Sequence, residues 1–338
     1  MLLRDRYQLL DVFADSGGMG VIYRAIDQKC ADNTVLIKAT RYDGGGNARR
    51  FRYTRDEAVK HIEKARKILE WEKKVLVRFK NQSVGNIPSP NDFFYGPSIL
   101  LQPSYQGKFD SYSLPPELLQ TEPYLVLELI QGQPLDKLLH SQAFQANLEL
   151  ELLRIARELL SIFIKLHKSI SVGHGSGYFI YQDLKPANIL IGEAGYVCLI
   201  DMGGVTLRLG ERTTEPTAGC ITAGYAAPEA ANGRETQIDQ RFDLYTLGVS
   251  LWQCATRIDP QSLGSEFPEF PLAPLRQAPL SEACQRIIAT ALQRDPAKRY
   301  PSAAHMRKDV IAALEAAERR ALTAPQHVEQ REAAFAKA

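Results

Sequence analysis

The segment from 181 to 203 constrains this chain more than any other. It reads Tyr181-Gln182-Asp183-Leu184-Lys185-Pro186-Ala187-Asn188, then the apolar run Ile189-Leu190-Ile191, then Val197-Cys198-Leu199-Ile200-Asp201-Met202-Gly203. A carboxylate beside a Lys, an Asn further along and a second Asp beyond a strand-like run suit holding a hydroxyl, a phosphate and Mg²⁺ together. Taken singly, Asp, Lys, Pro and Asn are ordinary turn residues. The information lies in their order and spacing.

With 338 residues, 45% of them hydrophobic and 24% charged, the chain can make one large two-lobed domain or two domains, and its composition argues against disorder. Lys and Arg number 41 against 39 Asp and Glu, a balance that points away from nucleic acid as a partner. The five Cys, at 30, 198, 220, 254 and 284, form no C-x-x-C pair. Neither a zinc site nor a disulfide framework is expected, and a reducing cytoplasm fits. Met1-Leu2-Leu3-Arg4-Asp5 lacks a signal peptide's apolar core, and no apolar run reaches the roughly 18 residues that span a bilayer. A soluble chain with no membrane span is expected.

Along the chain, Arg6–Leu10 and Val21–Ala25 read as strands around Asp15-Ser16-Gly17-Gly18-Met19-Gly20. Such a glycine cluster is either a plain hairpin turn or a backbone free to approach phosphate. A third strand, Thr34–Ala39, carries Lys38 near its end, which is either a snorkelling residue or a phosphate ligand. Residues 41–56 combine a Gly run with five arginines, and are either a solvated loop or a site for phosphate or an acidic partner. From Ala58 to Phe79 apolar residues recur at helical spacing: Ile62, Ala65, Ile68, Leu69, Val75, Leu76 and Phe79. Ser83–Glu122, rich in Pro, Gly, Ser and aromatics, is longer than one strand and its turns need and reads as holding an insertion before the next clear strand, Tyr124–Ile130. It either folds over the strands before it, docks a partner, or is a surface loop without a role. Leu148–His167 is an amphipathic helix with Leu152, Ile155, Ala156, Leu159, Leu160 and Phe163 inward. Ser169–Tyr178 contains Gly-His-Gly-Ser-Gly, but Ser176 does not fit the G-x-S-x-G pattern of a hydrolase elbow. Residues 302–320 predict a helix, and 321–338 a polar tail or a final helix.

These segments together resemble a bacterial-type serine/threonine protein kinase, in correct order from about residue 6 to 316, with insertions near 83–122 and 169–178. The resemblance implies an α+β, two-lobed fold: an antiparallel β N-lobe with a helix over residues 1–130, a mainly helical C-lobe over 131–320, a hinge near 128–132, and a tail at 321–338. It implies ATP and Mg²⁺ as cofactors and a protein as substrate. By position, Gly17, Gly18, Gly20 and Ile22 would cover the nucleotide, and Lys38, paired with Glu72, would hold its α- and β-phosphates. Glu70 would face elsewhere. Leu127 would be the gatekeeper, with the Glu128 carbonyl and the Ile130 amide meeting adenine. Asp183 would orient and deprotonate the substrate hydroxyl, Lys185 would neutralise the γ-phosphate, and Asn188 and Asp201 would hold Mg²⁺. Gly219–Glu229 resembles the end of an activation segment, in which Thr222 would bond near Asp183 and Lys185. Asp243 would brace the catalytic loop, and Arg299 would pair with Glu229.

The chain departs from the family pattern at Asp15, in place of a Gly, at Tyr181 and Gln182, in place of His and Arg, and at Met202, in place of Phe. Asp15, Gln182 and Met202 are the case for the alternative, a pseudokinase scaffold that binds nucleotide and a partner without efficient transfer. A small-molecule phosphotransferase should lack Thr222–Glu229 and Arg299. A regulatory protein would dock at 41–56 or 83–122.

Overall fold

Tyr7–Ala14, Gly20–Asp27 and Asn33–Thr40 pair antiparallel in the first sheet. The computed structural model describes residues 2–14, 20–30, 33–40, 55–99, 120–173, 175–210, 212–214, 222–231 and 238–335. They divide into two units: the described residues of Met1–Gln131 with Asp201–Gly204, and those of Gly132–Ile200, Val205–Glu215 and Gly219–Ala338.

The first unit contains β1 (Leu2–Leu3), β2 (Tyr7–Ala14), β3 (Gly20–Asp27), β4 (Asn33–Thr40), α1 (Arg55–Asn81), β5 (Pro90–Gly96) and β6 (Glu122–Glu128). Among the described residues the strands form an antiparallel six-stranded sheet in the order β1-β2-β3-β4-β6-β5. β6 lies between β4 and β5 and is buried from Glu122 to Leu127. Tyr7, Phe94 and Tyr124 stack at ring separations of 5.6 and 5.2 Å. The two buried phenols are satisfied, Tyr7 donating to Asp92 at 2.9 Å and Tyr124 to the Pro97 carbonyl at 2.8 Å, as buried tyrosines require. The apolar stripe of α1 is buried from Ile62 to Phe79, as its spacing predicts. Acidic Asp56 and Glu57 in its first turn and basic Arg78 and Lys80 in its last complement the helix dipole.

Within 83–122, a block longer than one strand and its turns need, Pro90–Gly96 is β5, the sheet's edge strand. Its strand signal is weak because Pro90 opens it, a bulge follows between Pro90 and Asp92, and Gly96 closes it. The rest of that block between 100 and 119 lies outside the described residues, as do the glycine loop at 15–19 and the arginine-rich stretch 41–54.

The second unit begins with β7 (Gln133–Pro134), α2 (Leu135–Leu138), α3 (Gln142–Ala146) and α4 (Leu148–Leu166). Then come β8 (Ile170–Val172), β9 (Gly175–Ile180), β10 (Ile189–Ile191), β11 (Val197–Leu199), β12 (Thr206–Leu209) and β13 (Arg212–Thr214). Four helices complete it: α5 (Arg241–Thr256), α6 (Leu272–Gln277), α7 (Glu282–Ala291) and α8 (Ala303–Phe335). The inward stripe of α4 is buried at every position the sequence names, and α5 is buried on all sides from Phe242 to Trp252. The stretch 321–335, for which the sequence leaves a tail or a separate helix open, continues α8.

Residues 169–178, which read as a lengthened link, are β8 and most of β9. They join β12 and β13 in a sheet of order β13-β12-β9-β8 among the described residues. Gly177 permits this, since a Cβ there would stand 2.4 Å from the Arg208 carbonyl oxygen. The fold is thus α+β, an antiparallel sheet with a helix followed by a mainly helical unit. No helix among the described residues is long and apolar enough to cross a membrane.

Candidate functional site

The first unit assembles one charged cluster. β4 places Lys38 opposite Ile22 of β3 and Leu125 of β6. Its Nζ lies 2.8 Å from Glu72 Oε2 and 2.7 Å from Asp201 Oδ1. Burial alone would push the ammonium's pKa down, but the carboxylates of Asp201 and Glu72 outweigh it and hold Lys38 protonated, its pKa raised. Burial lifts the Glu72 carboxyl above the usual range, with Lys38 opposing. Glu72 also accepts from the Met202 amide at 3.3 Å. Glu70 lies on another face of α1 and accepts from Tyr95 at 2.7 Å, as positions two apart on a helix require.

Asp201 has left-handed backbone, φ 62°, a conformation Asp tolerates better than most residues. Its Oδ1 accepts from the Gly203 amide at 3.2 Å, and its side chain is 41% exposed. Gly20 starts β3 close over the Lys38 stem, where a Cβ would lie 3.2 Å from both Lys38 Cε and the Ala39 carbonyl. Leu127 is buried opposite Leu36, and Glu128 opposite Val35 exchanges hydrogen bonds with Ser89. Ile130 follows in irregular backbone. Gly17 and Gly18 lie outside the described residues.

The second unit assembles another cluster. The loop between β9 and β10 hangs on Asp243 of α5, fully buried, whose two oxygens accept the Tyr181 and Gln182 amides at 2.9 Å each. His167 Nε2 adds a contact to Asp243 at 2.8 Å. The loop then presents Asp183, whose Oδ2 accepts from Lys185 Nζ at 2.9 Å and from Asn188 Nδ2 at 3.0 Å. Its Oδ1 accepts from the Thr222 hydroxyl at 2.5 Å, and Lys185 also donates to Thr222 at 2.8 Å. A carboxylate so placed takes a hydroxyl's proton end while a cation stands beside it. Asn188 Nδ2 donates as well to the Asp183 carbonyl at 2.8 Å. Amide oxygen, as on Asn188, and carboxylate oxygen, as on Asp201, are donors that hard cations take. Both donor types suit Mg²⁺.

Below this lies a structural pair. Arg299 donates to Glu229 at 2.6 and 2.7 Å, both buried. The sequence does not single out His167, Thr206 or Arg208. Thr206 accepts from Gln182 Nε2 at 2.9 Å, and Arg208, buried, donates to the carbonyls of Gly210 and Ile238 at 2.8 and 2.9 Å. No local pattern marks them, because each acquires its role from a partner distant in sequence.

The protein kinase domain family model matches residues 117–311. Lys38, Glu72 and Gly20 precede that match. A probable serine/threonine-protein kinase of Streptomyces coelicolor is 33% identical over 205 residues, 57% of this chain and 28% of that protein. Serine/threonine-protein kinase pkn3 of Myxococcus xanthus is 33% identical over 220 residues, 60% of this chain and 38% of that one. PknB of Mycobacterium tuberculosis, also named a serine/threonine-protein kinase, is 28% identical over 199 residues, 56% and 30% respectively. The match spans about a third of the length of these curated relatives.

Proposed function

The chain belongs to the protein kinase domain family, and from that premise we propose that it transfers the γ-phosphate of ATP to a Ser or Thr hydroxyl of a protein, with Asp183 as base. The observation that carries this reading is Asp183, whose carboxylate is shared by Lys185, Asn188 and a hydroxyl, that of Thr222. A substrate hydroxyl would take the same kind of bond, and Asp183 would orient it and receive its proton. Thr222 would hold Asp183 and Lys185 in register. Lys185 would neutralise the γ-phosphate, and Lys38, kept protonated beside Glu72, would hold the α- and β-phosphates. Gly17, Gly18, Gly20 and Ile22 would cover the nucleotide, with Leu127, Glu128 and Ile130 at adenine. Asn188 and Asp201 would hold Mg²⁺, whose contribution is to neutralise charge on the phosphate oxygens. A cytoplasmic setting and a regulatory partner at 41–56 or 83–122 belong to the same proposal.

The test is incorporation of labelled phosphate from ATP with Mg²⁺ into a generic protein, wild type beside Asp183→Ala. A loss of about 10²- to 10⁴-fold is expected, the usual worth of a positioned base. Equal incorporation by the two proteins would refute the role of Asp183, and no incorporation by either would favour a non-catalytic scaffold.

A further inference from the structure

The first two side chains of the catalytic loop take no part in the chemistry assigned above, yet both are buried and bonded. Tyr181, fully buried, donates its hydroxyl to the Ile200 carbonyl at 2.5 Å. Gln182, in left-handed backbone at φ 68°, donates its amide to the Thr206 hydroxyl at 2.9 Å. Their backbone amides are both fixed by Asp243. Ile200 immediately precedes Asp201, and Thr206 opens β12 opposite Ile180 of β9. Two consecutive uncharged side chains, anchored on one buried carboxylate, therefore tie down both ends of the segment 201–205. Within it Asp201 holds its left-handed backbone, φ 62°.

We propose that Tyr181 and Gln182 are positioning residues for Asp201. Their neutral hydrogen bonds to Ile200 and Thr206 set the loop that offers the metal an oxygen, and no added charge is needed to order it. The proposal rests on the kinase reading for the purpose of Asp201.

Mn²⁺ replaces Mg²⁺ as the probe. Free Mn²⁺ is read by electron paramagnetic resonance in the presence of ATP, alongside amide exchange over 202–206 and peptide phosphorylation at saturating Mg²⁺. Tyr181→Phe and Gln182→Leu should each weaken Mn²⁺ binding about three- to tenfold, the worth of one neutral hydrogen bond, and speed exchange of the loop amides. Turnover at saturating metal should fall less than the affinity does. Thr206→Val should match Gln182→Leu, adding one to the other should lose nothing more, and Thr206→Ser, which keeps the hydroxyl, should behave as wild type. Variants that bind Mn²⁺ and exchange like wild type overturn the proposal, as does a Thr206→Ser that behaves like Thr206→Val. If wild type fails to phosphorylate any peptide while the variants still lose Mn²⁺, the clamp is supported and the kinase reading is the one refuted.

Discussion

Removing Arg299 should destabilise the second unit rather than merely slow any chemistry. Its side chain is fully buried and grips Glu229, itself 7% exposed, with both arms. It donates also to the carbonyls of Gln293, Arg294 and Arg241 at 2.7, 3.1 and 3.2 Å, and its plane lies 4.6 Å from the Tyr245 ring centre. Arg299→Met leaves a buried carboxylate without its hydrogen-bonded cation and those carbonyls without this donor. Breaking a buried, hydrogen-bonded pair from one side costs about 3–5 kcal/mol, a large share of the roughly 5–15 kcal/mol by which folded proteins are stable. At roughly 2–4 °C per kcal/mol for large domains, the melting point should fall by about 6–20 °C. Trp252, fully buried on α5, reports on this unit once Trp71 is replaced by Phe. Urea unfolding in that background gives the free energy directly. Adding Glu229→Leu should recover at least about 2 kcal/mol, because the stranded charge goes with it. The reasoning fails if Arg299→Met lies within about 1 kcal/mol of its parent, or if the double variant is no better than the sum of the singles.

Burial pushes the Glu122 carboxyl from its ordinary 4.5 up to about 8, against the pull of the Thr40 amide. A raised acid stabilises the fold below its unfolded pKa and loses that contribution as pH rises to the folded value. With Arg66 at 3.5 Å favouring the charged form, wild type should lose about 2–4 kcal/mol more between pH 5 and 8 than Glu122→Gln, and parallel urea-stability curves for the two would refute this. Gly177→Val should separate β9 from β12 at a cost of about 1–3 kcal/mol, visible as faster amide exchange at 206–209; unchanged protection would show that the strand accommodates a side chain. Replacing Thr213, Thr214 and Thr217 together by Ala should leave kcat within about threefold, under ~1 kcal/mol of barrier, because Gln182 carries no charge with which to pair a phosphate. A tenfold loss on phosphatase treatment of wild type, regained on rephosphorylation, would point to another residue as the phosphate reader.

What the sequence by itself determined is whatever is encoded between neighbours on the chain. The stripe of α1 from Ile62 to Phe79 follows from helical spacing; Glu72 is named by the resemblance of its segment to the family's, and helix geometry then turns Glu70, two residues away, to another face. Asp183, Lys185 and Asn188 are legible because one short loop holds all three within reach of each other. Tertiary structure alone decided the contacts that join distant segments. The edge strand Pro90–Gly96 exists because β6 supplies its partner, against a Pro, a bulge and a Gly that weaken its own propensity. Gly175 and Ser176 pair in a local hairpin with β8, and at Gly177 the strand also meets β12, which lies alongside closely enough to exclude any side chain there. Gln182, which in the sequence is simply an absent arginine, becomes the partner of Thr206. Strand pairing and buried polar bonds draw their free energy from surfaces brought together by folding, so no window of sequence, however well read, contains both halves of the interaction.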